Sequence, residues 1–536
     1  MDRLPQSRWS LLIPALAAMM LFPASLRAAE KPLRQVIDAD IQAAWQREKI
    51  APAGRAGDAA FLRRVHLDLV GVIPTLEETR RFLDSTEPDK RAKLIDSLLA
   101  DARFAVHQAD VWDQILFGRN PPNLDGTRRQ ESFKKWLTDK FAHNEPYDRW
   151  VRDLLRAEHE GTELFYVQYR GQPEDATVGV SRIFLGMQLQ CARCHDHPFE
   201  SWTQRDFYGM AGFFVRLTVL DKPAVKGQRR FALGEKSTGE VLFSGSVKDQ
   251  KPGRKGEPVQ AKYLGGSVLD EPSPPKGFKE PALKPGANPP RPLFSRKEKL
   301  ADWVADPANP YLARAVVNRV WAQFLGRGLV HPVDDLSEKN APSHPELFKA
   351  MTEQLTAHKF DLKWMIRELV NSETYQRAAE GPTKDALPSW FERGRVRPLS
   401  AEELVASICT ATAADAAGRK MANDSIEYFL RYFGKPTNGR GEFQGSLSEH
   451  LFLNNSGQIR QLIQRRKGNL ADELLQSKEP WDRRVERMFL SVLSRPPSEE
   501  ERKKFVTYLT AEGKPEPRLE ESIWVLLNTA EFRFNH

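Results

Sequence analysis

Cysteine is scarce in this chain, with three among 536 residues. A disulfide framework is therefore excluded as the source of stability, which must rest on packed cores. No G-x-S-x-G, phosphate-binding loop, dinucleotide fingerprint or H-E-x-x-H occurs, so nothing supports a conventional hydrolase, NTPase or dehydrogenase. A dense Lys/Arg block beside aromatic residues is also missing. The net charge of +8 is spread along the whole chain, which argues against a nucleic-acid partner and leaves only weak attraction to acidic envelope polymers. After the first 24 residues no apolar run is long enough to span a bilayer,. What remains is a chain with 28% charged and 40% hydrophobic residues, long enough for two or three globular domains.

The N-terminus has its own pattern. Arg3 and Arg8 precede an apolar run from Trp9 to Ala24, and small residues follow at Ala28 and Ala29. This predicts a secretory signal peptide over residues 1–29 and a periplasmic or secreted protein. Leu26 and Arg27 make the cleavage site imperfect, so an uncleaved anchor helix is the competing reading.

Two of the three cysteines stand in Cys191-Ala192-Arg193-Cys194-His195-Asp196-His197-Pro198-Phe199. C-x-x-C-H is the attachment pattern of a c-type haem. Each thiol adds to a vinyl group, and the adjacent histidine becomes an axial ligand of iron. Cys191, Cys194 and His195 are the candidate haem residues, and Met210 is a candidate for the far axial position. His197 follows His195 too closely to reach the opposite face of the same iron. It points either to a supporting hydrogen bond or to a different site, in which Cys191, Cys194 and His195 or His197 hold zinc or non-haem iron. A disulfide or an idle thiol pair is the third reading. Cys409, within an apolar helical stretch, reads as a small buried residue.

A second polar cluster comprises Asn318, Arg319, Arg327, His331, Asp334, Asp335 and His344. The paired carboxylates beside two histidines could bind a cation or carry protons, and the arginines could clamp an anion. The competing reading is a buried polar network that locks a long loop. No known ligand spacing is matched, which favours the network.

The periodicity is mainly helical. Thr75–Glu78, Ser400–Glu403 and Ser498–Glu501 have the capping-box pattern, and Leu312 to Phe324 forms an apolar stripe ended by Gly326. Residues 174–190 read as one helix leading to the cysteines. Short strands are expected at 230–233, 240–243 and 260–264, followed by eight prolines between Glu271 and Pro292,. The predicted architecture is mainly α: a helical domain over 33–216, a small β-containing, Pro-rich insert over 217–292, and a helical domain over 293–536. Residues 64–82 also match 487–505 without a gap, each reading as helix, proline turn and capped helix.

The segments Phe61–Leu69, Ser181–Gly186 and Cys191–Phe199 resemble the planctomycete cytochrome-like domain of unknown function. Leu300–Trp303, Val317–Trp321, Gly326–Val330, Ser343–Leu347 and Leu527–Phe532 resemble its usual partner, the planctomycete-specific secreted domain. The resemblance implies an exported protein without an established activity. It also implies that, without the separate cytochrome c domain that many relatives carry, haem would be held at Cys191–His195 itself. The stretch Asn438–Gln444 lacks the cysteine that relatives often place there. Three functions follow: a c-type haem protein that passes electrons to a redox partner, a non-haem metal site in an envelope enzyme, or an envelope scaffold.

Overall fold

The computed structural model describes residues 31–119, 123–124, 131–225, 228–243, 256–382, 387–424, 426 and 455–536. The predicted signal peptide and the segment 438–444 lie outside the described residues. The fold is mainly α, and the described strands form only two-stranded antiparallel pairs. Leu217–Val225 pairs with Gln228–Glu235, Val241–Phe243 with Glu257–Val259, and Arg397–Pro398 with Phe534–Asn535. The strand expected at 260–264 is displaced to 257–259, with a single bridge from Lys262 to Val268 beyond it.

The helix Asp58–Val70 is the centre of the molecule. Every residue from Phe61 to Val70 is buried. A helix buried all round must pack on several sides, and this one serves two cores. Phe61, Leu62, Val65, Leu69 and Val70 join an apolar core that also holds Leu33, Trp150, Phe184, Trp321 and Phe391. Leu67 joins a second core built from residues 399–532. The first core thus draws on both sides of the Pro-rich segment.

The two arginines of this helix are fastened to distant backbone. Arg63 donates to the carbonyls of Val492 and Phe532 at 3.3 and 2.7 Å. Arg64 donates to those of Tyr375, Arg377 and His536. Burial pulls the Arg63 pKa down to about 10, yet that still leaves the guanidinium charged at neutral pH. Neutral carbonyl oxygens are its partners.

The three capping boxes form as the sequence predicts, at Thr75, Ser400 and Ser498. The matching segments 64–82 and 487–505 are both helix–turn–helix corners, and the helix Trp481–Leu493 packs against Leu76–Asp84. The apolar stripe is the helix Leu312–Leu325, closed by Gly326 in the left-handed region at φ 77°. No helix among the described residues is long and apolar enough to cross a membrane.

Candidate functional site

The approach to the cysteines is not one helix. An α-helix over Pro173–Val180 widens into a π-turn, Ser181–Leu185, and stops at Gly186 with φ 68°. A Cβ at Gly186 would lie 2.6 Å from Leu336 Cδ1. The loop 329–336 therefore presses on the chain here, and the Leu336 amide donates to the Gly186 carbonyl at 2.8 Å. A 3₁₀ turn over Leu189–Arg193 follows.

In a 3₁₀ turn, residues three apart eclipse one another. Leu189 and Ala192 are buried, while Cys191 and Cys194 are exposed and unpaired. The C-x-x-C spacing thus anchors one side of the turn in the core and presents both thiols on the other. Arg193 reaches Asp175 at 3.0 Å, and its carbonyl accepts from Gln204 Nε2 and Tyr208 Oη at 3.2 and 3.3 Å.

The two histidines differ in their hydrogen bonds. His195 is exposed, and its Nδ1 lies 2.7 Å from the Asp196 carbonyl oxygen. A carbonyl only accepts, so Nδ1 carries the proton and Nε2 is left as the basic, ligating nitrogen. His197 is the reverse. Its Nδ1 accepts from the Phe199 and Glu200 amides at 3.3 and 3.0 Å, so in the neutral ring Nε2 bears the proton. The His197 amide donates to the Trp202 carbonyl at 2.8 Å, and Asp196 Oδ1 accepts from the Gln204 amide at 2.8 Å. His197 and Asp196 therefore close the loop that carries His195 into the helix Gln204–Ala211, which Thr203 and Asp206 cap.

The donor set fits a covalently held haem: two exposed thiols, and an adjacent imidazole whose Nδ1 is tied to backbone with Nε2 unencumbered. A haem bound there would supply one-electron redox chemistry. Among the described residues, no three His, Cys, Asp or Glu side chains are grouped closely enough to hold a metal ion. Met210 is fully buried in the first core. Its helix, Gln204–Ala211, packs against the turn Leu189–Arg193.

The second polar cluster does not converge. Asn318 is fully buried; its Nδ2 donates to the Val330 and Val333 carbonyls at 2.8 and 3.0 Å, and its Oδ1 accepts from the Val330 amide at 2.9 Å. It pins the loop 329–336. Asp334 is buried, accepts from Gln188 Nε2 at 3.1 Å and stands 3.8 Å from Arg182. Asp335 contributes backbone contacts to Pro332 and Asn340, and the His331 carbonyl accepts from Asn340 Nδ2. Arg327 lies near Arg395, and burial pulls its pKa down. His344 is buried apart, beside Phe391 and Ser343, and burial, followed by Arg47, lowers its pKa to about 4. Asn318 and Asp334 thus brace the loop that in turn braces the approach to Cys191.

Sequence reasoning missed a different group. Arg397 donates to Asp68 Oδ1 at 3.0 Å and to both Glu403 oxygens at 2.8 Å. Asp68 also accepts from Tyr375 Oη at 2.8 Å and Asn535 Nδ2 at 2.7 Å. Burial raises the Asp68 pKa; at Glu403 burial acts the same way, but Arg397, His107 and the Ser400 amide together bring the pKa down. This group borders a cavity of about 590 Å³ between the helices Asp58–Val70, Ala102–Phe117 and Ala401–Ala411, with His107 on its wall. Its members are hundreds of residues apart, and no local pattern marks them.

Comparison with known families agrees with the motifs. The family model PSCyt2, described as a protein of unknown function (DUF1549), matches residues 36–218. The model PSD1, described as a protein of unknown function (DUF1553), matches residues 296–437. No curated protein and no solved structure matches. The exposed Cys191–His195 turn lies inside the first match and its bracing loop inside the second; the chain carries a PSCyt2 match followed by a PSD1 match, in that order.

Proposed function

We propose that this chain is an exported electron-transfer protein that holds a c-type haem through Cys191, Cys194 and His195. The observation that carries the reading is the hydrogen bond from His195 Nδ1 to the Asp196 carbonyl. It orients the ring and leaves Nε2 as a ligand beside two exposed thiols,. His197 serves as a clasp of the loop and not as a second ligand. The N-terminal pattern of Arg3, Arg8 and the run Trp9–Ala24 supports export to the compartment where such attachment takes place,. The exposed setting suits contact with a redox partner.

The test is expression of the full chain in a host with a cytochrome c maturation system. The expected result is a denaturation-resistant haem stain, a pyridine haemochrome spectrum and a mass increased by one haem. Cys191→Ser should leave a single thioether, His195→Ala should alter the Soret band, and Met210→Leu should leave it in place. An unmodified mass from that host overturns the proposal. Stoichiometric zinc or iron without porphyrin would then favour the non-haem site, and neither metal nor porphyrin would favour the scaffold.

A further inference from the structure

The cavity beside His107 is independent of the haem reading. Its volume of about 590 Å³ falls in the range of small-molecule sites. Its exposed lining is mainly apolar, with Val70, Val72, Val106, Val111 and Ile115 contributing, and no Phe, Tyr or Trp lines it. It therefore offers no phenyl, phenol or indole face for stacking.

Most of the charges around it are engaged with one another. Arg397 holds Asp68 and Glu403. Arg119 holds Glu402 through both carboxylate oxygens at 2.6 and 3.1 Å, and Lys134 holds Asp110 at 2.6 Å. Arg103 is bound by Asp101 and Glu78 at 2.7 and 2.8 Å. Arg319 and Arg419 donate to the carbonyls of Arg182 and Ala414. A charged ligand would have to break one of these pairs, or draw Arg319 or Arg419 off its carbonyl, and leave a partner in a poorly solvating site.

His107 and Gln114 are among the polar groups that stay open. Neither ring nitrogen of His107 has a hydrogen-bond partner among the described residues. Gln114 Oε1 is buried without one. An imidazole offers one donor and one acceptor when neutral, and burial holds the His107 pKa below the usual range against the pull of Glu403. The ring is also held in place. Gly71 caps the central helix at φ 69°, and a Cβ there would lie 2.3 Å from His107 Nδ1.

We propose that this cavity binds a small uncharged amphipathic molecule, an aliphatic body carrying one hydroxyl or primary amide, with its polar end on His107 and Gln114. The aliphatic walls take the body. The open acceptor on Gln114 and the donor–acceptor pair on His107 match a group that both donates and accepts.

Four probes of one chain length test it on the purified full chain: hexan-1-ol, hexanamide, hexanoate and hexylammonium. Titration calorimetry and thermal shift should show saturable binding of the alcohol and the amide, with the two ions at least tenfold weaker. His107→Ala should weaken the neutral probes about tenfold. Ala406→Phe, which fills the cavity from the helix 401–411, should abolish binding. Val106→Phe, at the exposed rim, repeats that test if the first variant does not fold. Absence of saturable binding by either neutral probe overturns the proposal. So does equal binding of an ion, or unchanged binding in a folded cavity-filling variant.

Discussion

The cysteine–histidine turn and the His107 cavity are assembled by opposite routes. Hydrogen bonds that shape the turn stay local: His195 to its neighbour, His197 to Phe199 and Glu200, and Tyr208 to Arg193 across 15 residues. Those around the cavity are long-range: Arg397 to Asp68 spans 329 residues, Arg119 to Glu402 spans 283, and Asn535 to Asp68 spans 467. The turn is exposed and most of its geometry follows from residue spacing. The cavity exists only after both cores have closed around the helix 58–70. Chemistry displayed on a short local loop tolerates substitution without loss of the fold. Chemistry embedded between two cores is inseparable from stability.

This contrast predicts a graded series of effects. The largest belongs to Arg397→Met, which leaves Asp68 and Glu403 buried without their shared cation. The expected loss is about 3–5 kcal/mol, read as a lower midpoint in urea unfolding. A loss below about 1 kcal/mol would show that the pairing is incidental.

Next comes acid. His66 and His344 are buried, and burial depresses both pKa values to about 4. Unfolded histidine titrates near pH 6.5, so between those values the unfolded chain binds more protons than the folded one. Stability is therefore complete above about pH 6.5 and falls as the pH drops toward 4, by about 3 kcal/mol for each ring. His66→Gln should flatten that part of the stability–pH curve; an unchanged slope would remove His66 from the account.

Asn318→Ala removes three buried hydrogen bonds of the bracing loop, with an expected cost of about 2–3 kcal/mol. Proteolysis between residues 329 and 343 should quicken, because the loop loses its internal pin. Gly71→Ala forces a Cβ against His107 from a left-handed position. Its expected cost is about 1–2 kcal/mol, with weakened binding of the neutral probes. At the small end, Cys191→Ser and His195→Ala in the haem-free protein should change stability by less than about 0.5 kcal/mol, since both side chains are exposed,. A larger change at either position would blur the distinction between displayed and embedded chemistry.

Much of the local structure was legible in the sequence. The capping boxes at Thr75, Ser400 and Ser498 need only a hydroxyl and a carboxylate three residues apart, and all three form. The helix 312–325 ends at Gly326 because the left-handed cap favours glycine,. The segment 174–190 departs from its helical pattern because Leu336, far away in sequence, occupies the space beside Gly186. The strand near 260 is displaced because its pairing with Val241–Phe243 sets the register, and short strands have little pattern of their own,.

By itself the sequence determined the candidate haem turn: two cysteines three residues apart, with a histidine next to them. These features act through bonds and hydrogen bonds over a few residues, so spacing suffices to read them. Only the tertiary structure decided the fate of the other polar groups. It set Asn318 and Asp334 to bracing a loop, put His344 elsewhere, buried Met210 in the core, and gathered Asp68, Arg397, Glu403 and His107 at one cavity. The physical reason is that burial changes what a charge or an imidazole does, and burial belongs to whatever packs around a residue, not to the residue itself.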